Sequence, residues 1–225
     1  MTTATTPTLV RDRYAAAAEP LTHAVLAVPA DRWDRPSPCE GWTARDVLDH
    51  IISAQRDFLQ GRGLLPATDE PTEESDAPDP AGRWTAHRNL LRELLTCSET
   101  AATAYEGFFG PTTVGDSLLT FYIPDMIVHR WDLASAVGGD TRLTDSEMDG
   151  LDAAIESWGD ALYSEGVFRP GVTAPPGADR QTVLLARMGR RAGGKAGRAA
   201  PDGSDAIAAP AVRPARAVRA PSVRG

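Results

Sequence analysis

Asp125 and His129 stand four residues apart, a spacing that on a helix sets their Cβ atoms roughly 5 to 6 Å apart on one face. An imidazole and a carboxylate so placed can ligate a divalent metal ion or simply hydrogen-bond to each other, and spacing alone leaves both readings open. His50 lies at the edge of an apolar helical face, flanked by Asp46 and Asp57; by itself it reads as a surface or capping residue. Asp46 and Asp132 are candidates to orient an imidazole through its other nitrogen, and each is otherwise an exposed or capping acid. Cys39 could approach a metal, although such a cysteine more commonly serves as a small buried hydrophobe. His23 and His87 have exposed-looking neighbours and receive no role.

The segment that must position Asp125 and His129 runs from about residue 116 to 137. Its apolar residues, among them Leu118, Phe121, Met126, Val128, Trp131 and Leu133, fall on every side of a helical wheel, so this helix is expected to be buried. Asp125, His129 and Asp132 fall within roughly 60° of one another, with Tyr122 beside them, while Arg130 points elsewhere and can snorkel. A buried carboxylate must find a partner, because an unpaired buried charge costs several kcal/mol or is neutralised. Gly138 and Gly139 stop the helix. Thr43 is a good N-cap for the helix that carries His50, which runs to about residue 60 with Val47, Leu48, Ile51, Ile52, Phe58 and Leu59 on its apolar face. Further helices are expected over residues 8–28 and 84–105, and a fifth piece, capped by Thr144 or Asp145, ends near Tyr163. No segment shows a convincing strand alternation. The fold class is therefore all-α, a helix bundle.

The Pro-rich, acidic residues 61–82 read as a mobile loop. After residue 189 the sequence turns to Ala, Arg, Gly and Pro, too poor in large apolar groups to offset the entropy of ordering. The expected organisation is one domain over residues 1–189 and a disordered basic tail over 190–225. From Arg187 onward nine basic residues face two acids, +7, which leaves −15 on residues 1–186. So acidic a body repels phosphate and argues against a nucleic-acid partner. No run approaches about 18 apolar residues, so no membrane span is expected. The start lacks the order of a signal peptide, and the only cysteines, Cys39 and Cys97, form no disulfide framework, which suits the reducing cytoplasm.

The run Cys39-Glu40-Gly41-Trp42-Thr43-Ala44-Arg45-Asp46-Val47-Leu48-Asp49-His50 resembles the first motif of the mycothiol-dependent maleylpyruvate isomerase N-terminal domain family, within the DinB-like superfamily of metal-binding four-helix bundles. Asp125-Met126-Ile127-Val128-His129-Arg130-Trp131-Asp132 resembles its second motif, and the likeness spans roughly residues 8–191. The resemblance implies a DinB-like four-helix bundle holding a divalent ion on His50, Asp125 and His129, two imidazoles and a carboxylate that leave a coordination position open; zinc is the expected ion, and such ligands also accept nickel, iron or manganese. Aspartate in place of glutamate at 125 is a departure that shortens the reach by one methylene; Pro124, which removes a backbone donor, could adjust the geometry. The implied activity is transfer or isomerisation with a low-molecular-weight thiol, of the mycothiol type, acting on a small electrophile. The family's isomerase carries an additional C-terminal domain where only the low-complexity tail is expected here, so its substrate does not carry over. A hydrolase using metal-bound water and a non-catalytic metal-binding or dimerising module remain as alternatives, the last allowing a homodimer.

Overall fold

The helices begin and end where side chains can satisfy their unpaired backbone groups. The computed structural model describes residues 6–66, 79–107, 109–159 and 171–191. Helix α1 (Pro7–Leu26) starts at Thr6, whose hydroxyl accepts from the Leu9 N–H, with Pro7 at a position where no amide donor is needed. Helix α2 (Ala44–Gln60) opens on a capping box: the Thr43 hydroxyl accepts from the Asp46 N–H, and the Asp46 carboxylate accepts from the Thr43 N–H. Helix α3 (Pro80–Leu94) is capped by Asp79.

After α3 the structure departs from the expected long helix. Thr96 takes the Glu93 carbonyl with its hydroxyl at 2.6 Å, the competition by which Ser and Thr interrupt helices. A short α4 (Ser98–Ala102) follows, then an antiparallel hairpin of β1 (Ala104–Gly107) and β2 (Gly110–Thr113). Gly110 has φ 105°, and a Cβ at Gly107 would sit 2.7 Å from the Thr112 Cγ2, so the turn needs both glycines. Tyr105 of β1 closes over Arg62, whose guanidinium lies between the Phe58 and Tyr105 rings at 3.9 and 4.0 Å.

The central rod is α5 (Val114–Ser117), a π turn (Leu118–Tyr122) and α6 (Ile123–Val137). Here the Ile123 N–H bonds five residues back to the Leu118 carbonyl, immediately before Pro124, which has no N–H of its own to continue an α ladder. Gly138, at φ 74°, ends the rod as expected. Helices α1, α6, α2 and α3 pack in a ring, each against the next, around one core that includes Leu21, Leu48, Ile51, Trp84, Leu91, Met126 and Leu133. Each such side chain contributes about 1.5–3 kcal/mol.

Helices α7 (Asp145–Trp158) and α8 (Arg180–Arg187) pack against each other outside the ring, with α7 against α6. Arg130 does not snorkel to solvent. It is buried, and its Nε and Nη2 grip Glu147 of α7 at 3.0 and 2.9 Å. Glu147 also accepts from the Thr144 N–H, so one carboxylate caps α7 and ties it to α6. Most of the expected acidic loop, the end of the fifth helix near Tyr163 and the tail beyond residue 191 lie outside the described residues.

Candidate metal centre

His50 projects from α2 and Asp125 and His129 from α6, and the packing of these helices brings all three together. His129 Nε2 lies 3.3 Å from Asp125 Oδ1, and His50 Nε2 lies 3.6 Å from Asp125 Oδ2. Ligand atoms from the three residues all lie within 4.8 Å of one another. His50 Nε2, Asp125 Oδ1 and His129 Nε2 are nevertheless buried without a hydrogen-bond partner among the described residues. They are close enough for ion pairing but not aligned for hydrogen bonding, which weakens the plain Asp–His hydrogen-bond reading. A tetrahedral ion with bonds of about 2.1 Å separates its ligand atoms by roughly 3.4 Å. His129 Nε2 and Asp125 Oδ1, 3.3 Å apart, have that spacing, and with His50 Nε2 beside the other carboxylate oxygen the donor set present suits a small divalent cation.

Of the two acids suggested as partners for an imidazole, Asp132 contacts one. His129 Nδ1 donates to Asp132 Oδ2 at 2.9 Å, which leaves Nε2 to face His50 and Asp125. Asp46 instead caps α2 through Thr43, and no contact links it to either imidazole among the described residues. The turn before α2 sets two further side chains at the site. The Trp42 N–H bonds back to the Cys39 carbonyl, with Gly41 at φ 79° in between, a conformation that favours glycine. Trp42 lies against both imidazoles, with ring centroids 4.9 Å from His50 and 5.9 Å from His129. The half-buried Cys39 thiol donates to Asp132 Oδ2 at 3.2 Å.

Arg190, assigned to the tail by sequence, reaches this group, with Nη2 2.9 Å from Asp132 Oδ2 and Nε 3.4 Å from Oδ1. Cys39, His129 and Asp132 could in principle hold a second ion. The Arg190 guanidinium already supplies the positive charge there, so the three orphaned atoms mark the better cation site. Sequence reasoning gave Trp42 and Arg190 no role at the site. Trp42 sits within the first motif, and that proximity was the available signal; for Arg190 the signal was its place at the end of the 8–191 likeness, which gave no role to its side chain.

The electrostatics agree with this arrangement. Burial would raise the Asp125 carboxyl, but His129 and then His50 outweigh it and hold the group well below the ordinary carboxylate range. Burial likewise opposes ionisation of Asp132, yet the Arg190 charge and His129 bring it down to about 2. Burial would lower His129, but Asp125 and Asp132 hold it well above the usual imidazole value. Without a cation, His129 therefore favours its protonated form beside Asp125, and a cation binding there would take the place of that proton.

Residues 14–134 match the family described as the mycothiol maleylpyruvate isomerase N-terminal domain, a span that includes every residue of the centre except Arg190. Among curated relatives, Uncharacterized protein Rv0738 of Mycobacterium tuberculosis (strain ATCC 25618 / H37Rv) is 31% identical over 136 residues, 53% of this chain and 63% of the relative. Uncharacterized protein Rv0036c of the same strain is 28% identical over 133 residues, 51% of each chain. The match thus covers less than two thirds of these relatives. No solved structure matches the chain.

Proposed function

The chain belongs to the mycothiol maleylpyruvate isomerase N-terminal domain family, and from that premise we propose that it binds one divalent cation, zinc, through His50, Asp125 and His129 and joins a low-molecular-weight thiol to a small electrophile. The observation that carries this reading is the convergence of three buried, orphaned ligand atoms contributed by two helices. A divalent cation with an open position supplies the Lewis acidity at which an entering thiol loses its proton near neutral pH.

The chain's own groups do the rest. Asp132 holds the His129 ring by its Nδ1–H, so that Nε2 presents a lone pair. Trp42 packs over both imidazoles and keeps bulk water from that side. Asp125 offsets part of the cation's charge, and an entering thiolate would offset the remainder. The free thiols Cys39 and Cys97 accord with a reducing cytoplasm.

The test is to incubate the zinc-loaded full chain with a thiol and chlorodinitrobenzene, in which the thiol sulfur bonds to the ring carbon and chloride leaves. Thiol-dependent turnover above the uncatalysed rate, lost in Asp125→Ala, is the expected result. Thiol-independent cleavage of an activated ester would favour a hydrolase instead. No turnover with bound zinc would leave a binding or dimerising module.

A further inference from the structure

Helix α8 ends in a way that aims one side chain back into the bundle. The Arg190 N–H bonds to the Leu185 carbonyl at 2.8 Å and the Gly189 N–H to the Ala186 carbonyl at 3.0 Å, with Gly189 at φ 79°. These two bonds and a left-handed glycine form a Schellman motif, which reverses the chain in a fixed direction. It directs Arg190 inward, where only 11% of its side chain is exposed. Nη1 is held by the Met188 carbonyl at 2.8 Å, which leaves Nε and Nη2 as a two-pronged grip on the two oxygens of Asp132. The same Nη2 lies 3.5 Å from the Cys39 sulfur.

The carboxylate so gripped is the one that accepts the His129 Nδ1–H. Asp132 Oδ2 takes donors from His129, Cys39 and Arg190, and Arg190 alone bonds both oxygens and fixes the carboxylate plane. The geometry points to Arg190 as a positioning residue for the metal centre: by clamping Asp132 it fixes the ring that presents His129 Nε2, and so couples metal affinity to the docking of residues 171–191, a segment outside the family match. This rests on the metal reading above. Coupling of this kind is reciprocal, so bound metal should in turn hold the α8 segment in place.

The experiment uses the full chain as wild type, Arg190→Ala and Arg190→Lys, with zinc alone as the ligand. It records zinc affinity by chelator competition, helicity by circular dichroism, hydrogen exchange over α8, and the His129 Nδ1–H resonance in the metal-free state. Arg190→Ala should keep its helicity and bind zinc about 10- to 100-fold more weakly, the range for lost partners that orient a ligand. Arg190→Lys, which keeps the charge but not the fork, should fall between the two. Zinc should slow exchange across α8 in the wild type and not in Arg190→Ala. If Arg190→Ala fails to fold, Arg190→Lys carries the affinity test. Wild-type zinc affinity in a folded variant would overturn the proposal. If the wild type binds no zinc, the metal reading fails, and the resonance then decides: loss in Arg190→Ala supports the clamp, and an unmoved signal overturns it.

Discussion

His129 and His87 are buried to the same degree, at 1% and 2% exposure, and their surroundings push them in opposite directions. His87, on α3, has a neutral hydrogen-bond partner and no carboxylate beside it among the described residues: its Nε2 lies 3.0 Å from Gln55 Oε1, which also accepts from the Tyr14 hydroxyl. Burial, helped by Arg56, lowers His87 to about 3, so it stays neutral at physiological pH. His129 is held between Asp125 and Asp132 and is raised. Nor is one orphaned atom the distinguishing mark, since His87 Nδ1 also lacks a partner among the described residues. What separates the two is convergence: a second imidazole and a carboxylate aim at the same point beside His129, and no such group surrounds His87 among the described residues.

The largest expected effect is on metal binding. His50→Ala, Asp125→Ala and His129→Ala should each weaken zinc binding by more than about a hundredfold, beyond what loss of an orienting partner costs. His87→Ala should leave it within about twofold, since it shares no partner with the centre. Titration against a competing chelator separates these outcomes, and equal losses at His87 and His129 would erase the distinction drawn between them.

Stability should distinguish charged from neutral buried pairs next. Glu147→Ala strands the Arg130 guanidinium and should cost about 3–5 kcal/mol in denaturant unfolding. His87→Ala removes a neutral partner and should cost about 1–3 kcal/mol. The reverse order would show that the pair binding α7 to α6 is less important than its geometry suggests.

A further effect is in the pH dependence. The folded value of His87, about 3, lies below its ordinary 6.5, so between these limits the unfolded chain binds the proton more readily and stability falls as pH falls. Asp132, at about 2 against an ordinary 3.8, adds a loss confined to the lower window, from 3.8 toward 2. Replacing His87 with Gln should therefore flatten the stability profile between about pH 6.5 and 4 without changing its most acidic limb. An unchanged profile would mean that His87 also takes up its proton in the folded protein.

The legible parts of the molecule were those written in local pattern. The Thr43 cap, the Gly138 stop and the all-round apolar character of the Asp125 helix each depend on residues a few positions apart, and each is found in the fold. Features decided by distant partners were not legible. His87 looked exposed because Gln55, which receives it, lies on another helix, and Arg130 looked free to reach solvent because Glu147 lies beyond the turn. Arg190 is 58 residues from Asp132 and is aimed by a glycine turn whose direction no local periodicity encodes. The hairpin escaped because four-residue strands rich in Gly and Thr show no apolar alternation to set against a helical pattern.

On the proposed reading, the three orphaned atoms together form one cation site. Its most direct test is the metal content, by mass spectrometry, of the full chain purified without chelators and then equilibrated with zinc, beside a His50→Ala, His129→Ala double variant. About one tightly held divalent ion per wild-type chain and none in the variant is the expected result. A wild type that stays metal-free after equilibration, or a double variant that keeps a full equivalent, would contradict it.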